Sequence, residues 1–174
     1  MPETLPYPEF ELDVVASIGD AALVALRSDA ELLAFFATGG GIVEIESERI
    51  SIDVSSVKAP LLGVSLGPVR ERRIGNDDYT ELAVALDLLL LTPYENARGT
   101  QRWLRPRLVN RIKARLAANH GQLEDAEGNL LTEALIEFER LDFTGALKGR
   151  NVIATLLRAV FRADIDQIDR GVIP

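Results

Sequence analysis

Between residues 82 and 91 the chain alternates without a break: Leu82, Val84, Leu86, Leu88 and Leu90 occupy every second position. Side chains on a strand point to opposite faces with a period of two, whereas a helix would scatter these leucines around its circumference. The segment is therefore a strand with one fully apolar face, and the fold must contain a sheet packed against something. Its other face reads Ala83, Ala85, Asp87, Leu89 and Leu91. A face of that mixed make-up is either thinly covered or buried only in a complex.

Around this strand the pattern switches between helix and strand. Pro2, Pro6 and Pro8 predict an extended N-terminal arm over residues 1–10, because proline fixes φ and blocks helix. Val14, Val15, Ile18, Ala22, Val24 and Ala25 then recur at amphipathic-helix spacing. Ser28 followed by Glu31 reads as a capping box that restarts a short helix through Leu33, Phe35 and Phe36, ended by Gly39-Gly40-Gly41. Strands are expected at Ile50–Val54 and at Leu62–Leu66, the latter stopped by Gly67-Pro68. The charged stretch from Arg70 to Thr80 reads as a turn. Residues 93–119 read as helix with a kink or fresh start at Pro106, and Leu108, Val109, Ile112 and Leu116 share one side. Ile136 and Phe138 alternate with Glu137 and Glu139 as in a strand, and 145–151 is a polar loop. In the final segment Ile153, Thr155, Leu157, Ala159, Phe161, Ala163 and Ile165 fall on one side of a strand, although the four-residue spacing of the largest also fits a helix.

Helix, strands, helix, strands is the order of an α+β fold: an antiparallel or mixed sheet with helices packed on one face. The chain has 174 residues, no linker-like tract and no repeat, so residues 11–174 are expected to form one domain. No segment approaches the roughly 20 apolar residues of a spanning helix, and the first ten residues lack a secretory signal's basic and apolar regions. The expectation is a protein made in the cytoplasm, with no membrane partner.

The side-chain inventory narrows the chemistry. There is no cysteine and one histidine, so the commonest routes to an activated nucleophile or a zinc site are closed. His120, beside Gly121, reads as a polar residue ending a helix. Asp77-Asp78 and the group Glu124, Asp125 and Glu127 are the densest carboxylates, and both read as solvated turns without calcium-loop spacing. Gly39-Gly40-Gly41 has no following lysine and opens a strand, unlike a phosphate cradle. No catalytic residue, cofactor site or metal site is expected, and the chain is read as a non-enzyme.

With a net charge of −8, the field as a whole repels nucleic acid. One stretch is locally basic: from 97 to 123 there is no acid, and Arg107, Arg111 and Arg115 fall four apart beside the apolar side of the helix. Three readings remain open for it: a solvated face, a surface that docks on an acidic neighbouring subunit, or a DNA contact. Arg158 and Arg162 lie on the second face of the last strand. Together with Leu89 and Leu91, these five arginines are the candidate interface residues.

The order of elements, the hydrophobic strand Leu82–Leu91 followed by a long helix, and the closing strand from Val152 to Ile165 resemble the tail terminator (tail completion, neck) proteins of long-tailed bacteriophages. The resemblance covers roughly residues 11–165, and it implies a small α+β subunit that forms a ring, a hexamer, at the head-proximal end of the tail tube. Implied partners are further copies of itself, the tail tube protein and the head–tail connector proteins, with DNA passing through without specific binding, in a virion assembled in the host cytoplasm. Alternatives are another phage neck, head-completion or baseplate adaptor protein, and, from a different class, a nucleic-acid-binding accessory protein that uses the basic stretch.

Overall fold

A computed structural model of the chain describes residues 9–46, 58–73, 80–93, 103–146 and 152–164. Helices α1 (Glu9–Arg27) and α2 (Ala30–Ala37) lead into strand β1 (Gly41–Glu44); β2 (Leu61–Arg73) and β3 (Thr80–Pro93) follow. Then come helix α3 (Leu104–Leu116), a 3-10 turn at Ala118–Gly121, and strands β4 (Ala134–Ala146) and β5 (Val152–Asp164). The strands form one mixed sheet in the order β1-β2-β3-β5-β4. Only β1 and β2 are parallel; every other neighbour is antiparallel. The expected α+β architecture is the one found.

The leucine alternation places β3 at the centre. Val84, Leu86, Leu88 and Leu90 are fully buried beneath the helices, next to Leu157, Ala159, Phe161 and Ala163 of β5. From the helices, Ile18, Ala22 and Leu26 of α1, Leu32 and Phe36 of α2, and Ile112 and Leu116 of α3 fill the same core. The last segment is thus a strand, which resolves its four-residue spacing. Burying a leucine or phenylalanine side chain contributes about 1.5–3 kcal/mol, so this one-sided core carries most of the stabilising free energy.

Several boundaries differ from the sequence reading. Helix α1 begins at Glu9, two residues inside the expected arm. Helix α2 is capped by Asp29: its Oδ1 accepts the backbone N–H of Glu31 and Leu32 at 3.1 and 3.0 Å, while the Ser28 hydroxyl donates to the Ala25 carbonyl. Strand β2 does not stop at Gly67-Pro68; it passes through a bulge between Leu66 and Val69 and continues to Arg73, which takes part of the expected turn. In β4 a bulge between Leu135 and Glu137 breaks the expected alternation, so that Leu135 and Phe138 pack against the core and Ile136 is left exposed. The predicted strand at Ile50–Val54, the turn tip at Gly75–Asp78, and the first part of the predicted 93–119 helix lie outside the described residues.

Two glycines are dictated by close approach. A side chain at Gly63 would collide with the Ile45 side chain lying across it. Gly121 has φ of 85°, and a Cβ there would run into the backbone of Leu135, where the turn after α3 meets β4.

Candidate functional site

All three helices lie on one face of the sheet, and among the described residues no helix covers the other. That second face is built in cross-strand rows. In the central row Ser65, Asp87, Arg158 and Glu139 stand side by side on β2, β3, β5 and β4. Arg158 Nε donates to Asp87 Oδ1 at 2.7 Å and Nη2 to Oδ2 at 3.0 Å. The carboxylate, with Glu139 and Glu137 adding their field, holds the Arg158 guanidinium still more firmly protonated than usual. Two rows along, Ala83 is opposite Arg162, whose Nε donates to Glu133 Oε2 at 2.9 Å.

Both candidate arginines of β5 are thus paired within the chain, and each is still partly open to solvent. Toward Arg70 the face forms a shallow depression lined by Pro68, Ala85, Ile136, Glu137 and Val160 among others. Ile136 is 48% exposed. At the opposite end Leu91 is only 1% exposed, packed with Leu61 and Ala154, and half-buried Leu89 joins the same small cluster. Of the two candidate leucines, Leu91 is already interior.

The basic stripe of α3 lies elsewhere, and two of its three arginines serve the fold. Arg111 Nε lies 2.9 Å from both oxygens of Asp29, and its Nη1 lies 2.5 Å from Glu31 Oε2. Arg115 Nε donates to the Ala25 carbonyl at 2.8 Å, and its Nη2 to the Ser28 hydroxyl. These contacts fasten α3 to the junction between α1 and α2. Partial burial alone would raise the Asp29 pKa, but the Leu32 N–H and the Arg111 guanidinium outweigh it and hold the carboxyl below its usual value. Asp29, Arg111 and Arg115 are therefore a tertiary clasp, and Arg107 alone of the stripe is left exposed. Lys113, on the side of α3 turned toward β4, sits 5.9 Å from the Phe138 ring centre.

The acidic loop is likewise self-contained. Asp125 Oδ1 accepts from the Glu127 and Asn129 backbone, and Oδ2 from Asn129 Nδ2. The Asn129 side chain and the surrounding N–H groups lower the Asp125 pKa. Among the described residues no group of three or more His, Asp or Glu could hold a metal ion. His120 is exposed, with φ of 62° in the turn after α3. Among the described residues no helix is long and apolar enough to cross a membrane.

The sequence reading did not single out Arg70, Glu137 and Glu139, which border this second face with Arg158. The usable signal was in β4, where glutamates at alternate positions mark the side turned from the core.

No protein-family model matches the chain, and no curated protein matches it. Among solved structures, one similar chain belongs to the virion of a native gene transfer agent (GTA) particle. It has 18% identity and a TM-score of 0.43, over 87% of this chain and 97% of that one.

Proposed function

We infer that this chain is a structural subunit of a phage-like virion: a tail terminator that closes the head-proximal end of the tail tube as a homo-oligomeric ring, a hexamer, and joins it to the head. One observation carries the assembly reading: among the described residues no helix covers the second face of the sheet, where exposed Ile136 and half-buried Leu156 and Val160 lie near the Asp87–Arg158 pair. Such half-apolar surfaces with embedded ion pairs are suited to contact with another protein. The choice of terminator among assembly proteins comes from the layout of the sequence, which resembles that family. In this reading the partners are further copies of the chain, the tube protein and the connector, and DNA passes an acidic lumen that does not hold it.

The nucleic-acid reading is the weaker one. It needs a basic surface that faces outward, yet Arg111 and Arg115 spend their donors on Asp29, Glu31, Ala25 and Ser28. Negative-stain microscopy and light scattering of the pure protein, alone and mixed with tail tubes, test the proposal. Rings seated at one end of the tubes are expected. A protein that leaves tube ends bare and does not stop their growth would overturn it.

A further inference from the structure

We propose that successive copies join edge to edge, the outer side of β4 in one copy pairing antiparallel with the far half of β2 in the next. The inference rests on the reading of the chain as a self-associating ring subunit, and it goes further by naming the two surfaces that meet.

The sheet has two unpaired edges among the described residues, and they differ. β1 covers β2 only at Leu61–Val64, so β2 is itself an edge from Val69 to Arg73. Among the described residues β4 has β5 on one side and no strand on the other. A row of unpaired backbone N–H and C=O groups is a template for another strand. Each edge also offers a run of five residues in unbroken register, Val69–Arg73 against β3 and Glu137–Leu141 against β5, with a bulge immediately before it. The runs are equal in length, and with Arg70 opposite Glu139 residues 69–72 lie against 137–140.

Direction and charge match as well. The strands alternate in direction from β2 through β3 and β5 to β4, so a β4 edge meets the β2 edge of the next copy antiparallel, without either subunit being turned over. The β2 run reads Val-Arg-Glu-Arg-Arg, and the β4 run Glu-Phe-Glu-Arg-Leu. A register with Arg70 opposite Glu139 sets opposite charges side by side on the second face of the joined sheet. An edge meeting its own copy would instead set arginines beside arginines, or Glu137 beside Glu139, and like charges directly opposite are destabilising. Unlike edges are favoured, and a contact between unlike surfaces propagates head to tail, giving a ring when the rotation between copies closes. Arg70 shares a row with Ala83 and Glu139 a row with Asp87, so this register offsets successive copies by four residues along the strands, about 13 Å. A stagger of this kind is what a closed sheet requires.

The test uses the full chain with Arg70→Glu and Glu139→Arg, singly and mixed, followed by sedimentation and light scattering, with thermal melts to verify the fold. Each variant alone is expected to raise the concentration needed for assembly by roughly tenfold or more. An equal mixture is expected to recover assembly, because each interface in an alternating ring then pairs opposite charges. Because the chain has no cysteine, a chain carrying both Arg70→Cys and Glu139→Cys gives a second readout: a ladder of covalent oligomers on oxidation. Variants that assemble like the parent, a mixture that fails to recover, or the absence of a ladder would each overturn the edge contact. An oligomer that persists in both variants and still caps tubes sinks the edge contact alone; edge-dependent rings that ignore tubes sink the terminator reading alone.

Discussion

Asp87 and Arg158 stand opposite one another on β3 and β5, and the guanidinium grips the carboxylate through two hydrogen bonds on the face of the sheet turned away from the three described helices. Asp87 is 9% exposed, while about a quarter of the Arg158 side chain reaches solvent (28%). A charge pair in this position has little to do with the helix-side core. It ties the two central strands together in register, between rows in which Ala85 faces Val160 and Leu89 faces Leu156.

Removing one partner therefore costs more than removing both. Asp87→Ala leaves the guanidinium without its acceptor and should lower stability by about 1–3 kcal/mol, as for a hydrogen bond to a charged group. Replacing Asp87 and Arg158 together by Leu should recover much of that loss, because the neighbouring rows are apolar. Urea unfolding of the parent, the two single variants and the double variant measures the coupling. A double variant as unstable as the sum of the singles would contradict this account.

The clasp at Asp29 has its own pH signature. Asp29→Ala removes both the cap of α2 and the acceptor for Arg111, and should cost about 1–2 kcal/mol. Asp29→Asn keeps a capping oxygen and isolates the ionic part. The folded-state pKa of Asp29 is depressed, so the ionic contribution is fully present above the unfolded value of about 4 and is lost as pH falls through the folded value. Chemical denaturation should show the parent more stable than Asp29→Asn at pH 7 and the gap closing below about pH 4. A gap independent of pH would exclude the ion pair.

These residues also mark how far the sequence was legible. The central strands β3 and β5 could be read because each buries an alternating face, and period two survives any tertiary context. In β4 the alternation of Glu137, Phe138 and Glu139 holds, and only Ile136 departs from it, because it sits in a bulge and a bulge has no signature in a single sequence. Ser28 and Asp29 both fit a helix cap, and only the geometry selects Asp29. The arginine stripe was visible as spacing, but its purpose was not. Arg111 and Arg115 meet partners 80 or more positions earlier, and local periodicity carries no information about such contacts.

That reassignment leads to a third prediction. Arg111→Glu and Arg115→Glu should lower the melting temperature by several degrees, since each removes contacts that hold α3 to the α1–α2 junction; Arg107→Glu, on an exposed position, should leave it nearly unchanged. None of the three should alter retention on a DNA column at moderate salt, where the parent is expected not to bind. Salt-sensitive binding by the parent that vanishes in Arg107→Glu would restore the nucleic-acid reading.

Thr132 tests the joint between α3 and β4. It is 1% exposed, its hydroxyl accepting from the Leu123 N–H at 2.8 Å and donating to the Gly121 carbonyl at 2.7 Å. Gly121 lies at a φ that side chains rarely adopt, directly against Leu135. Thr132→Val preserves shape but strands a buried donor and a buried acceptor, so a loss of about 1–3 kcal/mol is expected. Thr132→Ser keeps both bonds and should lose only its methyl contacts. Gly121→Ala combines backbone strain with collision against a strand and should cost at least about 2 kcal/mol. Because β4 would supply one of the two assembling edges, amide exchange along Glu137–Leu141 should quicken in Thr132→Val in step with the fall in global stability, as it must if this joint holds the edge in register. Faster exchange confined to the 118–132 turn, with β4 unchanged, would show that the hydroxyl serves the turn alone.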